Sequence, residues 1–125
     1  MLILTQQQAI LILLLNNIFE DFMPEIIKVA AKTNFESNRP FTAEVNGQKI
    51  AIFKINDQYY AIGDTCPHRG GPLSEGKLNG TVVTCPWHGA RFDISSGKVQ
   101  SGPTKSDVPC FRVFVDDSEL KIEFP

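Results

Sequence analysis

Two short motifs in the chain contain the residue types that bind transition metals. One residue separates Cys66 from His68, and two residues separate Cys85 from His88. These are the only two histidines in the chain, and sixteen residues lie between the two motifs. Because chance placement would scatter four such residues, their pairing predicts that two thiolates and two imidazoles meet in one metal site.

The donor types and their spacing narrow the choice of metal. Zinc accepts two thiolates and two imidazoles, but structural zinc sites typically keep about two to four residues within a cysteine pair and about three to five within a histidine pair. Here each pair mixes cysteine with histidine. A [2Fe-2S] cluster with two cysteines on one iron and two histidines on the other explains this mixing better. A zinc-bound interaction module remains the alternative.

Turn residues predict that antiparallel β-structure holds these motifs. Asn46 and Gly47 supply the positive φ angles of a tight hairpin turn. Short apolar runs between such turns predict strands at residues 25–30, 41–45, 48–55, 58–62, 81–84, 90–93, 98–100, 108–115 and 119–124. Both motifs then follow strands and lie on loops, which a rigid sheet holds face to face.

The first 22 residues differ from the rest of the chain. Their apolar run, Ala9 to Leu15, is well below the roughly 20 residues of a spanning helix. The first basic residue is Lys28, so a secretory signal is not indicated. Thr5 to Gln8 has the form of a capping box, which predicts a short helix over residues 6–19. We predict an apolar, helical extension over residues 1–22 and one all-β domain over residues 23–125.

The composition limits which partners and which cellular compartment are expected. The chain has 12 basic and 14 acidic residues, a net charge of −2 and 42% hydrophobic residues. This balance argues against nucleic acid or an anionic membrane as the main partner. Two of the three cysteines belong to the metal motifs, so a disulfide framework is not indicated. Cys110 is interpreted as a small apolar residue on a strand. We expect a cytoplasmic protein.

The stretches CPHRGGPLSEG and CPWHGARFDISSGKV resemble the paired boxes of Rieske [2Fe-2S] domains. The resemblance extends from Met23 to the C-terminus. It implies a Rieske-type antiparallel β-sandwich with a small cluster-binding subdomain and one [2Fe-2S] cluster per chain. By position, Cys66 and Cys85 would bind the buried iron, and His68 and His88 the iron nearer to solvent. Residues 101–103 resemble the third, proline-containing loop of this family.

The same resemblance indicates a low potential. High-potential members have a disulfide between the boxes and hydroxyl donors to the cluster sulfurs. The matching positions here are occupied by Gly71, Trp87, Ala90 and Phe92, which lack those groups. The resemblance therefore implies a low-potential Rieske-type ferredoxin similar to those of oxygenase systems.

Such a ferredoxin would carry one electron from a reductase to an oxygenase or a similar terminal enzyme. The alternative is a fixed small subunit of a multi-subunit reductase, such as a nitrite reductase, or of an oxygenase. Catalytic activity of its own is not expected, because no histidine remains for the two-histidine, one-carboxylate iron site of an oxygenase catalytic subunit.

Overall fold

The computed structural model describes residues 5–11, 24–35 and 39–124. The described residues are mainly β-strand, which confirms the all-β fold class. Short 3₁₀ helices at Lys32–Phe35 and Leu73–Glu75 lie between strands. The ten strands are β1 (Glu25–Ala31), β2 (Phe41–Val45), β3 (Gln48–Ile55), β4 (Gln58–Gly63), β5 (Lys77–Asn79), β6 (Val82–Thr84), β7 (Arg91–Asp93), β8 (Val99–Ser101), β9 (Cys110–Asp116) and β10 (Glu119–Phe124).

These strands form two antiparallel sheets. The larger sheet has the order β1-β10-β9-β4-β3-β2, and its edge strands β1 and β2 also contact each other. The smaller sheet has the order β5-β6-β7-β8. Cys66 lies between β4 and β5, and Cys85 directly follows β6. Each metal motif therefore begins close to the end of a strand.

Strand β3 forms part of two cores. Ile50 and Ile52 are fully buried with residues of β9 and β10 in one core. Ala51 and Phe53 are buried in the second core, which also contains Val83 and both motif cysteines. Successive side chains of a strand point to opposite faces, so β3 lies between the two cores and contributes side chains to both. The metal motifs thus pack directly on the larger sheet.

The sequence predicted nine of the ten described strands, with ends displaced by at most two residues. It missed β5, which has three residues. Along β9, Phe111 and Val113 pack in the first core, but Val115, the next residue on the same face, is 47% exposed. Strand β4 pairs with β9 only near Phe111, so the far end of β9 lacks that neighbour.

The predicted helix is present where the N-terminal segment is described. Residues 6–11 are helical. The Thr5 amide donates to Gln8 Oε1 at 3.0 Å, and the Gln8 amide donates to Thr5 Oγ1 at 3.2 Å. This reciprocal pair is a capping box, as the sequence predicted. The rest of the predicted helix, residues 12–19, lies outside the described residues. Among the helices in the described ranges, none has the length and apolar character needed to cross a membrane.

Candidate metal centre

The two motifs adopt the same backbone turn. In the first, the Gly70 amide donates to the Cys66 carbonyl at 2.8 Å, and the Cys66 amide donates to the Gly71 carbonyl at 2.9 Å. In the second, the equivalent bonds run from Gly89 to Cys85 at 3.1 Å and from Cys85 to Ala90 at 2.7 Å. Thus the pattern of bonds around each cysteine is repeated.

Glycine and proline make this turn possible. The fifth residue of each turn is a glycine with positive φ, +80° at Gly70 and +79° at Gly89. Only glycine adopts this conformation without steric cost. The second residue is Pro67 or Pro86, which restricts φ and leaves no amide hydrogen to satisfy. Glycine and proline therefore shape both loops in the same way.

The shared turn explains the unequal spacing of the motifs. His68 is the third residue of its turn, whereas His88 is the fourth. The two imidazoles therefore leave equivalent backbones at different points, and their ring centroids lie 5.0 Å apart at 90°. His68 is half-buried and His88 is exposed. The histidines form the outer layer of the site.

The cysteines form the inner layer. Cys66 and Cys85 are 2% and 3% exposed, and both pack in the second core, which also contains Leu73 and Phe92. Burial raises the pKa of the Cys66 thiol; the His68 amide opposes this shift, and a hydrogen bond with the Cys85 thiol adds to it. Both thiols therefore lie in one apolar environment, and a bound metal would supply the positive charge that favours the ionised form of Cys66.

The space around the thiols depends on Gly71. A Cβ atom at this position would lie 2.7 Å from Cys85 Sγ and 3.1 Å from Cγ of the Trp87 ring. Gly102 in the third loop makes a similar close approach, since a Cβ there would lie 2.6 Å from Ala90 Cα. The predicted third loop, residues 101–103, thus packs against the second turn.

One buried atom is left without a partner in this site. Among the side-chain nitrogen and oxygen atoms of the described residues, His68 Nδ1 alone is buried and makes no hydrogen bond. A buried imidazole nitrogen without a partner is costly, and binding to a metal would satisfy it. Together with two thiols in contact and two adjacent imidazoles, this atom fits a [2Fe-2S] cluster with two sulfur and two nitrogen ligands.

The four donors are arranged as two pairs. Within the described ranges, no three His, Cys, Asp or Glu side chains form a group around a single metal ion. The thiols of Cys66 and Cys85 are in contact, and the rings of His68 and His88 are in contact. A cysteine pair below a histidine pair is the arrangement that a two-iron centre requires.

Cys110 lies apart from this pairing. It begins β9, and its Sγ donates to the Ser95 carbonyl at 3.5 Å. Partial burial of the thiol, followed by the negative charge of Asp93, raises its pKa. Nothing in this environment favours a thiolate.

Sequence reasoning missed the residue that fixes the base of the first turn. Asp64 is 5% exposed and is the only charged side chain classed as buried in the described part of the chain. Its Oδ1 accepts the Ser74 amide at 2.7 Å, and its carbonyl accepts the Leu73 amide at 2.7 Å. A β-bridge between Thr65 and Pro72 closes the same loop. An acidic residue two positions before a motif cysteine was the only signal in the sequence.

The comparison with known families agrees with this geometry. Residues 25–112 match the model of the Rieske [2Fe-2S] domain. The chain belongs to the Rieske [2Fe-2S] domain family. This finding supports one [2Fe-2S] cluster as its cofactor.

Individual relatives include ferredoxins. The chain is 37% identical to ferredoxin CarAc of Metapseudomonas resinovorans over 78 residues, which cover 62% of this chain and 73% of that protein. It is 34% identical to apoptosis-inducing factor 3 of Mus musculus over 71% of this chain, but over only 15% of that much longer protein. Rieske domains of this type thus occur in small ferredoxins and within larger proteins.

A solved structure shows the same architecture. The ferredoxin of carbazole 1,9a-dioxygenase from Nocardioides aromaticivorans IC177 superposes with a TM-score of 0.74 at 26% identity, covering 82% of this chain and 99% of that one. The Rieske-type antiparallel fold with a small cluster-binding sheet is therefore confirmed.

We predict that Asp64 stabilises the first turn through its buried hydrogen bond. Asp64→Ala leaves the Ser74 amide without its charged acceptor and should lower the free energy of unfolding by about 1.5 to 3 kcal/mol. Asp64→Asn retains an acceptor oxygen and should lose less. Urea unfolding followed by circular dichroism measures both variants. Equal losses for Ala and Asn would contradict a role based on the hydrogen bond.

Proposed function

We propose that this protein is a one-electron carrier that receives electrons from a reductase and passes them to an oxygenase or a similar terminal enzyme. The observation that carries the proposal is the layered site, in which two buried thiols lie beneath two imidazoles on a pair of identical turns. When bound, a [2Fe-2S] cluster supplies reversible one-electron chemistry.

Each part of the site has a role in this proposal. Cys66 and Cys85 provide the inner ligands, and the surrounding apolar side chains exclude water from them. His68 and His88 provide the outer ligands. The exposed ring of His88 brings the outer layer of the site to the surface, where a partner protein can approach. The protein contributes binding, orientation and access for partners, while the electron chemistry belongs to the cofactor.

Relatives support the choice of partners. Ferredoxin CarAc and the Nocardioides protein are named as ferredoxins, the latter of carbazole 1,9a-dioxygenase. Another structure, a complex of reduced oxygenase and oxidised ferredoxin in carbazole 1,9a-dioxygenase, contains a chain 32% identical to this one, with a TM-score of 0.71 and coverage of 78% of this chain and 92% of that one. A ferredoxin that docks on an oxygenase is the function we assign to this chain.

We also propose that the protein acts in the cytoplasm. Its three cysteines are free in the structure, and Cys110 is an exposed residue. A reducing compartment preserves such thiols and the metal-binding thiols before metal is loaded.

We predict that the cluster depends on the motif cysteines and not on Cys110. Anaerobically purified protein should contain about two iron and two acid-labile sulfide atoms per chain and give a rhombic electron paramagnetic resonance signal after reduction. Cys85→Ser should lose both iron and sulfide, whereas the matched variant Cys110→Ser should retain them. One zinc atom per chain without sulfide would instead assign the site to zinc.

The potential should lie near the low end of the Rieske range. That range is about −150 to +300 mV, and we expect a midpoint below about 0 mV. Ala90 and Phe92 are fully buried beside the site, and neither carries a hydroxyl donor to stabilise the reduced state. A redox titration monitored by electron paramagnetic resonance measures this value. A midpoint well above zero would show that other donors compensate.

The boundary between residues 22 and 23 is a domain proposal with its own test. Both described cores are composed of residues from position 27 onward, and the described helical residues 6–11 are exposed or half-buried. A variant lacking residues 1–22 should therefore keep its iron content and its electron uptake. Loss of solubility or of cluster content would favour the alternative of a fixed subunit, in which this extension docks on a larger protein.

A further inference from the structure

An exposed aromatic residue marks the end of the molecule that contains the site. Trp87 is 56% exposed, and its neighbours Pro86 and His88 are also exposed. Its ring packs against the Gly71 backbone, where a Cβ atom would lie 3.1 Å from ring carbons. The ring is therefore supported on one side and open to solvent on the other. Such tryptophans are enriched at the centres of protein interfaces.

Four basic residues lie on or close to the segments that form the site. Arg69 follows His68 on the first turn, and Lys105 lies two residues after the third loop. The strand register aligns Lys77 with Thr84 and Thr84 with Arg91, so both cations lie on one face of the smaller sheet beside the second turn. All four cations are exposed. The two salt bridges in the described residues involve other lysines, Lys28 and Lys121.

The charge at this end is opposite to that of the whole chain. Residues 65–77, 84–91 and 101–107 contain four basic residues and two acidic ones, Glu75 and Asp107, for a net charge of +2. The whole chain carries −2, so the remaining residues carry −4. Asp107 is already used within the fold, because its Oδ1 accepts the Val99 amide at 2.9 Å. Three of the remaining acidic residues, Glu20, Asp21 and Glu36, lie outside the described residues, so the other described residues carry a net charge of −1. The segments around the site are therefore positive, whereas the rest of the described chain is slightly negative.

We propose that this end, the basic tip formed by Trp87, Arg69, Lys77, Arg91 and Lys105, docks on an acidic protein surface that contains an apolar recess. The proposal rests on the proposed electron-carrier function and specifies the chemistry of the partner's face. The four cations steer an acidic surface toward the exposed His88, and the Trp87 ring fills the recess once water is displaced.

Small redox ions of opposite charge test the local potential, because the tip and the net charge predict opposite results. Reduced holoprotein is mixed with ferricyanide, an anion, or with hexaamminecobalt(III), a cation, each of which accepts one electron from it. If the tip governs approach, the rate with ferricyanide should fall by at least about threefold between roughly 10 mM and 200 mM NaCl, and the rate with the cobalt ion should rise. The net negative charge of the whole protein acting alone predicts the reverse for both ions, and that result would overturn the proposal.

Two charge-reversal variants compare the basic tip with a distant part of the protein surface. Arg69→Glu and Lys32→Glu each change the net charge from −2 to −4. The Lys32 amide donates to the Ser118 carbonyl, and Ser118 lies at the turn between β9 and β10, far from the end of β9 that pairs with β4. Arg69→Glu should remove most of the salt dependence with ferricyanide, and Lys32→Glu should leave it nearly unchanged. Equal effects of both variants would contradict a localised surface.

The single tryptophan provides a readout that does not depend on electron transfer. Trp87 is the only tryptophan in the chain, so its fluorescence reports the tip alone. Iodide should quench it more strongly than caesium, and Arg69→Glu, but not Lys32→Glu, should reduce that preference. If the protein takes up no electron, the carrier function fails while quenching still reports the tip. If sedimentation at low salt shows a dimer that shields Trp87 from iodide, a second copy occupies the tip and the proposal is wrong.

Discussion

The contact between two buried thiols is the constraint on which the rest of this structure depends. Cys66 and Cys85 are nineteen positions apart in the second half of the chain, yet both side chains are buried in the same apolar core. Two strands end at the right places to bring them there, and two identical turns point both sulfurs inward. The larger sheet supports this arrangement through β3, since Ala51 and Phe53 pack into the same core as the cysteines. The site is thus an integral part of the fold.

The layering of the site follows from this constraint. Once the cysteines point inward, the remaining residues of each five-residue turn must lie nearer the surface. The histidines therefore form the outer layer, and the prolines and Trp87 lie at the exposed rim. Burial raises the pKa of the Cys66 thiol, whereas exposure leaves the imidazole of His88 accessible to other proteins. One backbone geometry provides both an inner binding layer and an outer contact layer.

Local patterns in the sequence were sufficient to predict most of the fold. Asn46 and Gly47 adopt the positive φ angles that their types predicted, and the strands on either side follow. The paired motifs predicted which four side chains approach one another. The sequence could not show that both turns have the same hydrogen bonds, because these bonds join backbone groups, which do not depend on residue type. Asp64 was missed for a related reason: an aspartate before a loop is usually a surface residue, and only the fold shows that it is buried.

The same backbone turn occurs twice, although the histidine occupies a different position in each. Since the cysteine, proline and glycine alone specify the turn, its third and fourth positions are both free to carry an imidazole. His68, at the third position, is half-buried and His88, at the fourth, is exposed, but Trp87 at the third position of the second turn is exposed as well. The exposure of each imidazole therefore depends on the loop around it as well as on its position in the turn. One backbone turn, used twice, thus presents two histidines to different environments.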